Sequence, residues 1–182
     1  GGVRRARGDP MKLVDRYRGC MVGLAVGDAV GTTLEFKAPG TFTPIDDMVG
    51  GGKLDLRAGE WTDDTAMTLC LAESLVESKG MDAADQMARF DRWFRRGHLS
   101  ATGICVSIGT TVRQALETFE RSGDPFAGPT NDANSGTGSL MRIAPVALYF
   151  ASDPAAAIAH AVDASRTTHG SRAGVDACRY FT

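Results

Sequence analysis

The sequence predicts an all-helical, single-domain fold, and three observations carry that expectation. Apolar residues recur at helical spacing in segment after segment, no stretch sustains an alternation of period two, and no unit repeats at a fixed length. A chain of 182 residues is long enough to bury about 70% of the surface that its unfolded form exposes. Hydrophobic residues at 43% and charged residues at 23% are ordinary globular values, which excludes a disordered chain.

Residues 1–10 open on a basic stretch that lacks the apolar centre of a signal peptide. They are expected to form a flexible tail or an expression remnant ahead of a helical domain over 11–182. The spacing predicts a first helix over 11–30, with Leu13, Tyr17, Met21 and Leu24 along one face. Gly19, Gly23 and Gly27 fall four apart within it. Each glycine costs about 1 kcal/mol relative to alanine inside a helix, so the stripe predicts close approach by a neighbouring helix. Arg16, Arg18 and Asp28 argue against a membrane-embedded version of that motif. Residues 32–36 read as extended or irregular, and 40–59 as a loop rich in Gly, Pro and Asp.

The second helix opens at Thr62, a natural N-cap, and runs to about Ser78. Asp63 and Asp64 stand against the positive end of its dipole, while Met67, Cys70, Leu71, Ser74 and Leu75 continue at helical spacing. The acidic pair therefore lies at the helix mouth and the apolar stripe runs inward. Asp82 caps a third helix that carries Met87, Phe90 and Phe94 and ends near Gly97. A fourth is expected over 107–121, with Ile108, Val112, Ala115, Leu116 and Phe119 as its apolar face. After a polar loop over 123–138, residues 139–150 read as an apolar helix that Pro145 kinks or shortens. Asp153-Pro154 caps an alanine-rich helix reaching about Ser165, 166–170 is a turn, and a last helix starts near Ser171.

Composition narrows the function. A formal net charge of −2 gives no reason to expect nucleic acid or an anionic membrane as partner. No uncharged run is long enough to span a bilayer; the longest, over 97–112, is broken by Gly, Ser and Thr. Cys20, Cys70, Cys105 and Cys178 are isolated within apolar patterns, with no CxxC pair. They read as reduced, mostly buried thiols of a cytoplasmic protein.

Thr62, Asp63 and Asp64 place three hard oxygen donors on one turn, which suits Mg²⁺, Mn²⁺ or Ca²⁺ better than zinc. The plainer alternative is that the two aspartates only complement the helix dipole. Asn134-Ser135-Gly136-Thr137-Gly138-Ser139 is a glycine-rich turn whose N–H groups can cradle phosphate, or simply a turn. His169 taken alone reads as structural, and Glu35 alone would draw no notice.

Taken together, the polar segments resemble the ADP-ribosylglycohydrolase family. The match is carried by Gly23-Leu24-Ala25-Val26-Gly27-Asp28-Ala29-Val30-Gly31 and Glu35-Phe36, then by Trp61-Thr62-Asp63-Asp64-Thr65-Ala66-Met67. It continues through Gly136-Thr137-Gly138-Ser139-Leu140-Met141-Arg142 and Thr167-Thr168-His169-Gly170. The resemblance implies a compact all-helical enzyme with two bound Mg²⁺ (or Mn²⁺) ions, which hydrolyses the bond between ADP-ribose and a modified protein side chain or small conjugate. It implies that Thr62, Asp63 and Asp64 ligate metal and that Glu35 is the acidic residue near the scissile bond. It further implies that Gly136, Thr137, Gly138 and Ser139 hold the pyrophosphate and that His169 lines the nucleotide site.

The sequence departs from the family pattern in three places. Ser107-Ile108-Gly109-Thr110 stands where members commonly have aspartate-Ile-Gly-Asn, an aspartate associated with the arginine-type substrate site. The resemblance therefore leaves the acceptor open between arginine, serine, another side chain and a small conjugate. Thr137 replaces the asparagine of a Gly-Asn-Gly loop. The aspartate-x-aspartate-threonine segment that closes the family's metal site has no counterpart. A near-octahedral Mg²⁺ takes about six oxygens, more than Thr62, Asp63 and Asp64 supply. These residues are therefore expected to be the N-terminal part of a longer polypeptide, or one chain of a cleaved one, completed by a C-terminal segment. The alternatives are a non-catalytic member of the same fold, crystallin-like or ADP-ribose-binding, and a plain helical interaction domain.

Overall fold

A computed structural model describes residues 12–182, so the tail expected over 1–10 lies outside the described residues. The all-helical expectation holds. The helices are α1 (Leu13–Gly31), α2 (Asp63–Glu77), α3 (Ala83–Arg96), α4 (Thr110–Ser122), α5 (Ala144–Tyr149), α6 (Pro154–Arg166) and α7 (Arg172–Phe181). Among the described residues the β structure is one isolated antiparallel bridge, Gly51 to Leu56.

α2 is the central element, packed against α1, α3 and α5. Its Met67, Cys70, Leu71 and Leu75 are buried as the spacing requires, and they share one core with Met87, Phe90 and Trp93 of α3. Val112 and Leu116 of α4, Val146 of α5, Ala161 and Ala164 of α6 and Cys178 of α7 join that core. Each such Leu, Met or Phe contributes about 1.5–3 kcal/mol when fully buried. α3 is bounded as expected: the Asp82 carboxylate accepts from the N–H groups of Ala84 and Asp85, and Gly97 ends the helix at φ +66°. Arg89, held by Asp85 one turn earlier in α3, fastens that helix to α2 by pairing with Glu73, which also meets His98 Nε2 at 2.7 Å.

The structure decides one local expectation and corrects three. Of the two forms expected for residues 32–36 it shows the irregular one, a 3₁₀ turn (Thr32–Leu34) followed by Phe36 at φ +66°. α4 begins at Thr110, because Ser107 has φ +61° and cannot be helical. The helix expected over 139–150 divides into a 3₁₀ turn (Leu140–Arg142) and the six-residue α5, with Pro145 in the first turn of α5. Proline lacks the N–H that would have tied it back to the preceding turn, so the helix restarts there. Finally, Cys20 is exposed, although Cys70 and Cys178 are buried.

α1 departs most from a core helix. Ala29 is its one buried residue, and Leu13, Val14, Val22 and Val26 are exposed. A Cβ added at Gly19, Gly23 or Gly27 would meet nothing within 4 Å. The close neighbour that the glycine stripe predicts is thus not found among the described residues.

Candidate active site

The C-terminal turn of α1 builds the entrance to α2. Thr62 stands at the N-cap position, but its side chain makes no capping bond. Its hydroxyl instead donates to Asp28 Oδ1 at 2.7 Å. Asp28 Oδ2 accepts from the N–H groups of Thr62 and Thr65 and from the Thr65 hydroxyl, at 3.0, 3.0 and 2.7 Å. A carboxylate on one helix thus caps another, satisfying N–H groups that the first turn of α2 leaves without partners. Asp28 was not among the expected site residues, yet it carried a signal. An acid in the last turn of α1 opposes that helix's own dipole, which implies a partner elsewhere. Asp28→Ala is expected to destabilise the fold by on the order of 3 kcal/mol, roughly 6–12 °C in unfolding midpoint. Thermal unfolding checks this, and an unchanged midpoint would show that water caps α2 equally well.

Asp63 and Asp64 follow as the first residues of α2. Burial first, then the neighbouring Asp64, pushes the Asp63 carboxyl up to about 8. Asp64 is pushed up to about 6, again by burial first and then by Asp28 and Glu35. Glu35, at the end of the 3₁₀ turn, is also raised, by partial burial and by Asp28. Asp28, Glu35, Asp63 and Asp64 are thus near neighbours, and after burial the negative charge around them adds to the cost of ionising Glu35, Asp63 and Asp64.

The glycine loop and His169 are organised by Arg142, a side chain with no exposed surface. Its guanidinium donates to the carbonyl oxygens of Gly138 (2.6 Å) and Ala164 (3.1 Å) and to the hydroxyls of Thr167 (3.3 Å) and Thr168 (2.7 Å). It also lies 4.6 Å from the centre of the Phe90 ring. One buried cation thus ties the loop to the 167–169 turn. Because the Thr168 oxygen accepts from Arg142, its proton is available to His169 Nδ1, 2.9 Å away. That assignment leaves Nε2–H of His169 as a donor towards the glycine loop. Burial, and after it the Arg142 charge, depresses His169 to about 4, so it works as a neutral hydrogen-bonding group. Gly138 is required here, since a Cβ would come within 2.7 Å of the His169 ring.

These groups meet in one cleft of about 630 Å³, whose lining includes Glu35, Asp63, Asp64, Gly136, Thr137, Gly138 and His169. A second hollow of about 310 Å³ adjoins it through Glu35 and Asp64 and is lined by Asp28 and Thr62. Ser139 lines neither: it is buried, with Oγ 2.9 Å from Ser165 Oγ and 3.4 Å from Cys178 Sγ. Arg142 sits in the matched segment, but an arginine inside an apolar run offers no sign of the four acceptors it will serve. The donor chemistry fits a hard divalent cation, because Thr62, Asp63 and Asp64 present only oxygens and their crowded negative charge calls for a counter-ion. They fit it in part. Among the described residues no group of three or more His, Cys, Asp or Glu side chains is arranged to hold an ion.

An all-helical fold whose cleft joins an acidic helix start to a glycine loop and a buried histidine defines the class, and the chain belongs to the ADP-ribosylglycohydrolase family, whose sequence model matches residues 9–182. It is similar to the ADP-ribosylarginine hydrolase Tri1 of Pseudomonas putida (strain GB-1), with 42% identity over 170 residues, 93% of this chain and 46% of the relative. It is 34% identical to the ADP-ribosyl-[dinitrogen reductase] glycohydrolase of Rhodospirillum rubrum over 168 residues, 90% of this chain and 54% of that protein. A solved structure, an ADP-ribosylglycohydrolase-related protein complex, superposes with a TM-score of 0.78 at 43% identity, covering 91% of this chain and 53% of that one. The chain spans about half the length of the curated relatives it matches.

Proposed function

We propose that this chain carries the ADP-ribose-binding and bond-cleaving face of a hydrolase that removes ADP-ribose from a modified protein side chain. One observation carries the reading: a single cleft brings Glu35, Asp63 and Asp64 to the same space as the glycine loop and His169. Its volume lies in the range of about 300–1,000 Å³ typical of small-molecule sites. The loop N–H groups are suited to a diphosphate, and neutral His169 offers Nε2–H beside them. Glu35, raised by burial and by Asp28, is suited to accept a proton from an attacking water at the glycosidic carbon.

Asp63 and Asp64, with Thr62, would hold Mg²⁺ or Mn²⁺. When bound, such a pair of ions neutralises the crowded carboxylates and orients ribose hydroxyls and water. We assign the remaining oxygen ligands to a complementary C-terminal segment. Two facts support this: the relatives are about twice as long, and the glycine face of α1 is open. Among the described residues no helix is long and apolar enough to cross a membrane. Unpaired cysteines favour the cytoplasm. Arginine is the first acceptor to test, because two relatives at 42% and 38% identity are named ADP-ribosylarginine hydrolases.

A second reading, a member that binds ADP-ribose without turning it over, is favoured by the commitment of the Thr62 hydroxyl to Asp28 and by Thr137 in the loop. Calorimetric titration with ADP-ribose, and release of ADP-ribose from arginine- and serine-modified protein with Mn²⁺ or chelator, separate the two. Metal-dependent release supports the hydrolase. Binding without release supports the second reading, and no binding sinks both.

A further inference from the structure

Phe36 and Lys53 line the same cleft, and nothing in the proposed chemistry uses them. Phe36 follows Glu35 at φ +66°, a left-handed conformation that disfavours bulky side chains and where glycine is the usual residue. Its ring is not used for packing, since Phe36 is 65% exposed. An aromatic ring held in a strained conformation at the rim of a cleft, without burial as compensation, points to use by a ligand. Lys53 Nζ stands 4.4 Å from the centre of that ring.

The lysine is delivered there by a turn seated on the one that carries Phe36. Gly51 and Leu56 exchange backbone hydrogen bonds at 2.6 and 3.2 Å. Gly52 lies so close to Thr32 and Thr33 that a Cβ would come within 2.9 Å of both carbonyl oxygens. Lys53 is also the one Lys or Arg among the described residues lining the cleft, whose other charged groups are Glu35, Asp63 and Asp64.

We infer that the Phe36 ring face, flanked by the Glu35 carboxylate, seats the guanidinium of an arginine acceptor, and that Lys53 covers this face in the free protein and yields it on binding. The inference rests on the hydrolase reading above and deepens it by naming the acceptor subsite. A cation over an aromatic face is attracted by the ring quadrupole. A guanidinium stacks flat on the ring and directs paired N–H donors to a carboxylate, which an ammonium cannot do as well. The exposed Lys53 contact is weak and easily exchanged, whereas a neutral hydroxyl-type acceptor brings no charge to the ring face and at most one donor to the carboxylate.

Agmatine, which carries the arginine guanidinium, is the probe. Titrations followed by NMR at low ionic strength compare the wild-type chain with Phe36→Leu, Phe36→Gly and Lys53→Met. Glycine suits φ +66°, so Phe36→Gly folds even if the leucine variant does not. Agmatine is expected to shift the Phe36 ring signals, to bind about two- to fivefold more weakly to both Phe36 variants, and to bind about two- to fivefold more tightly to Lys53→Met. ADP-ribose affinity is expected to stay constant across all four. Agmatine that leaves the Phe36 signals unmoved in both the wild type and Lys53→Met overturns the proposal. So does a loss of ADP-ribose affinity in Lys53→Met, which would make Lys53 a diphosphate contact. Failure of the wild type to bind ADP-ribose sinks the hydrolase reading instead, and the agmatine titration still decides the guanidinium seat.

Discussion

Replacing Arg142 by methionine is expected to lower the unfolding midpoint by roughly 6–12 °C, with the glycine loop released from the 167–169 turn. Methionine fills comparable space but has no donor. The carbonyls of Gly138 and Ala164 and the hydroxyls of Thr167 and Thr168 would each lose a donor that stands 2.6–3.3 Å away. A buried acceptor left without a partner costs about 1–3 kcal/mol. Removing the charge works the other way, because burial holds the guanidinium down to about 10 and ionising it there is unfavourable. Thr167 keeps its bonds to Gln86 and to the Ala164 carbonyl. The net loss is therefore on the order of 3 kcal/mol. Circular dichroism melts at pH 7 measure it, and a shift below about 2 °C would mean that water replaces the donors. Because Arg142 sets the Thr168 proton and so the His169 tautomer, ADP-ribose affinity should fall even where the variant remains folded.

The same residue shows where sequence stops being informative. α2 and α3 were legible because their apolar faces and termini are local properties: Met67, Leu71 and Leu75 repeat at helical spacing, and Asp82 and Gly97 mark ends that need no distant partner. The break before α5 was half legible, since Pro145 announces an interruption but not that Leu140–Arg142 tightens into a 3₁₀ turn. Asp28 and Arg142 act across 34 to 37 residues and up to 26 residues of chain, respectively. Their partners are set by packing alone. Phe36 follows Glu35 in the matched segment, yet its positive φ contradicts the preference of an aromatic residue, so no propensity indicates it. Asp63, Asp64, Gly136 and His169, the residues that the matched motifs put forward, line one cleft, and each belongs to a short local segment that can be read without knowing its distant neighbours.

Without metal, the protein is expected to lose stability as pH rises from about 4 to 8, and Asp63→Asn is expected to remove most of that loss. The Asp63 carboxyl is raised from 3.8 to about 8 in the folded chain. Between those values the native state holds a proton that the unfolded chain has released, so raising the pH favours unfolding. The contribution is complete below pH 4 and falls by about 1.4 kcal/mol per pH unit above it, so the loss reaches on the order of 4 kcal/mol by pH 7. Asp64, raised to about 6, adds to the slope in the lower part of the same window. Glu73, Asp85 and Glu120, all lowered, act in the opposite sense under acid conditions, so the quantity to read is the difference between wild type and variant. Melts from pH 4 to 8 in chelator should show the two curves diverging upward in favour of Asp63→Asn. Millimolar Mn²⁺ or Mg²⁺ should then restore the wild type at pH 8 and leave it unchanged at pH 4, because only the ionised carboxylates attract the ion. Parallel curves would show that water reaches Asp63. Diverging curves without a response to metal would keep the electrostatics and remove the cation from the proposal.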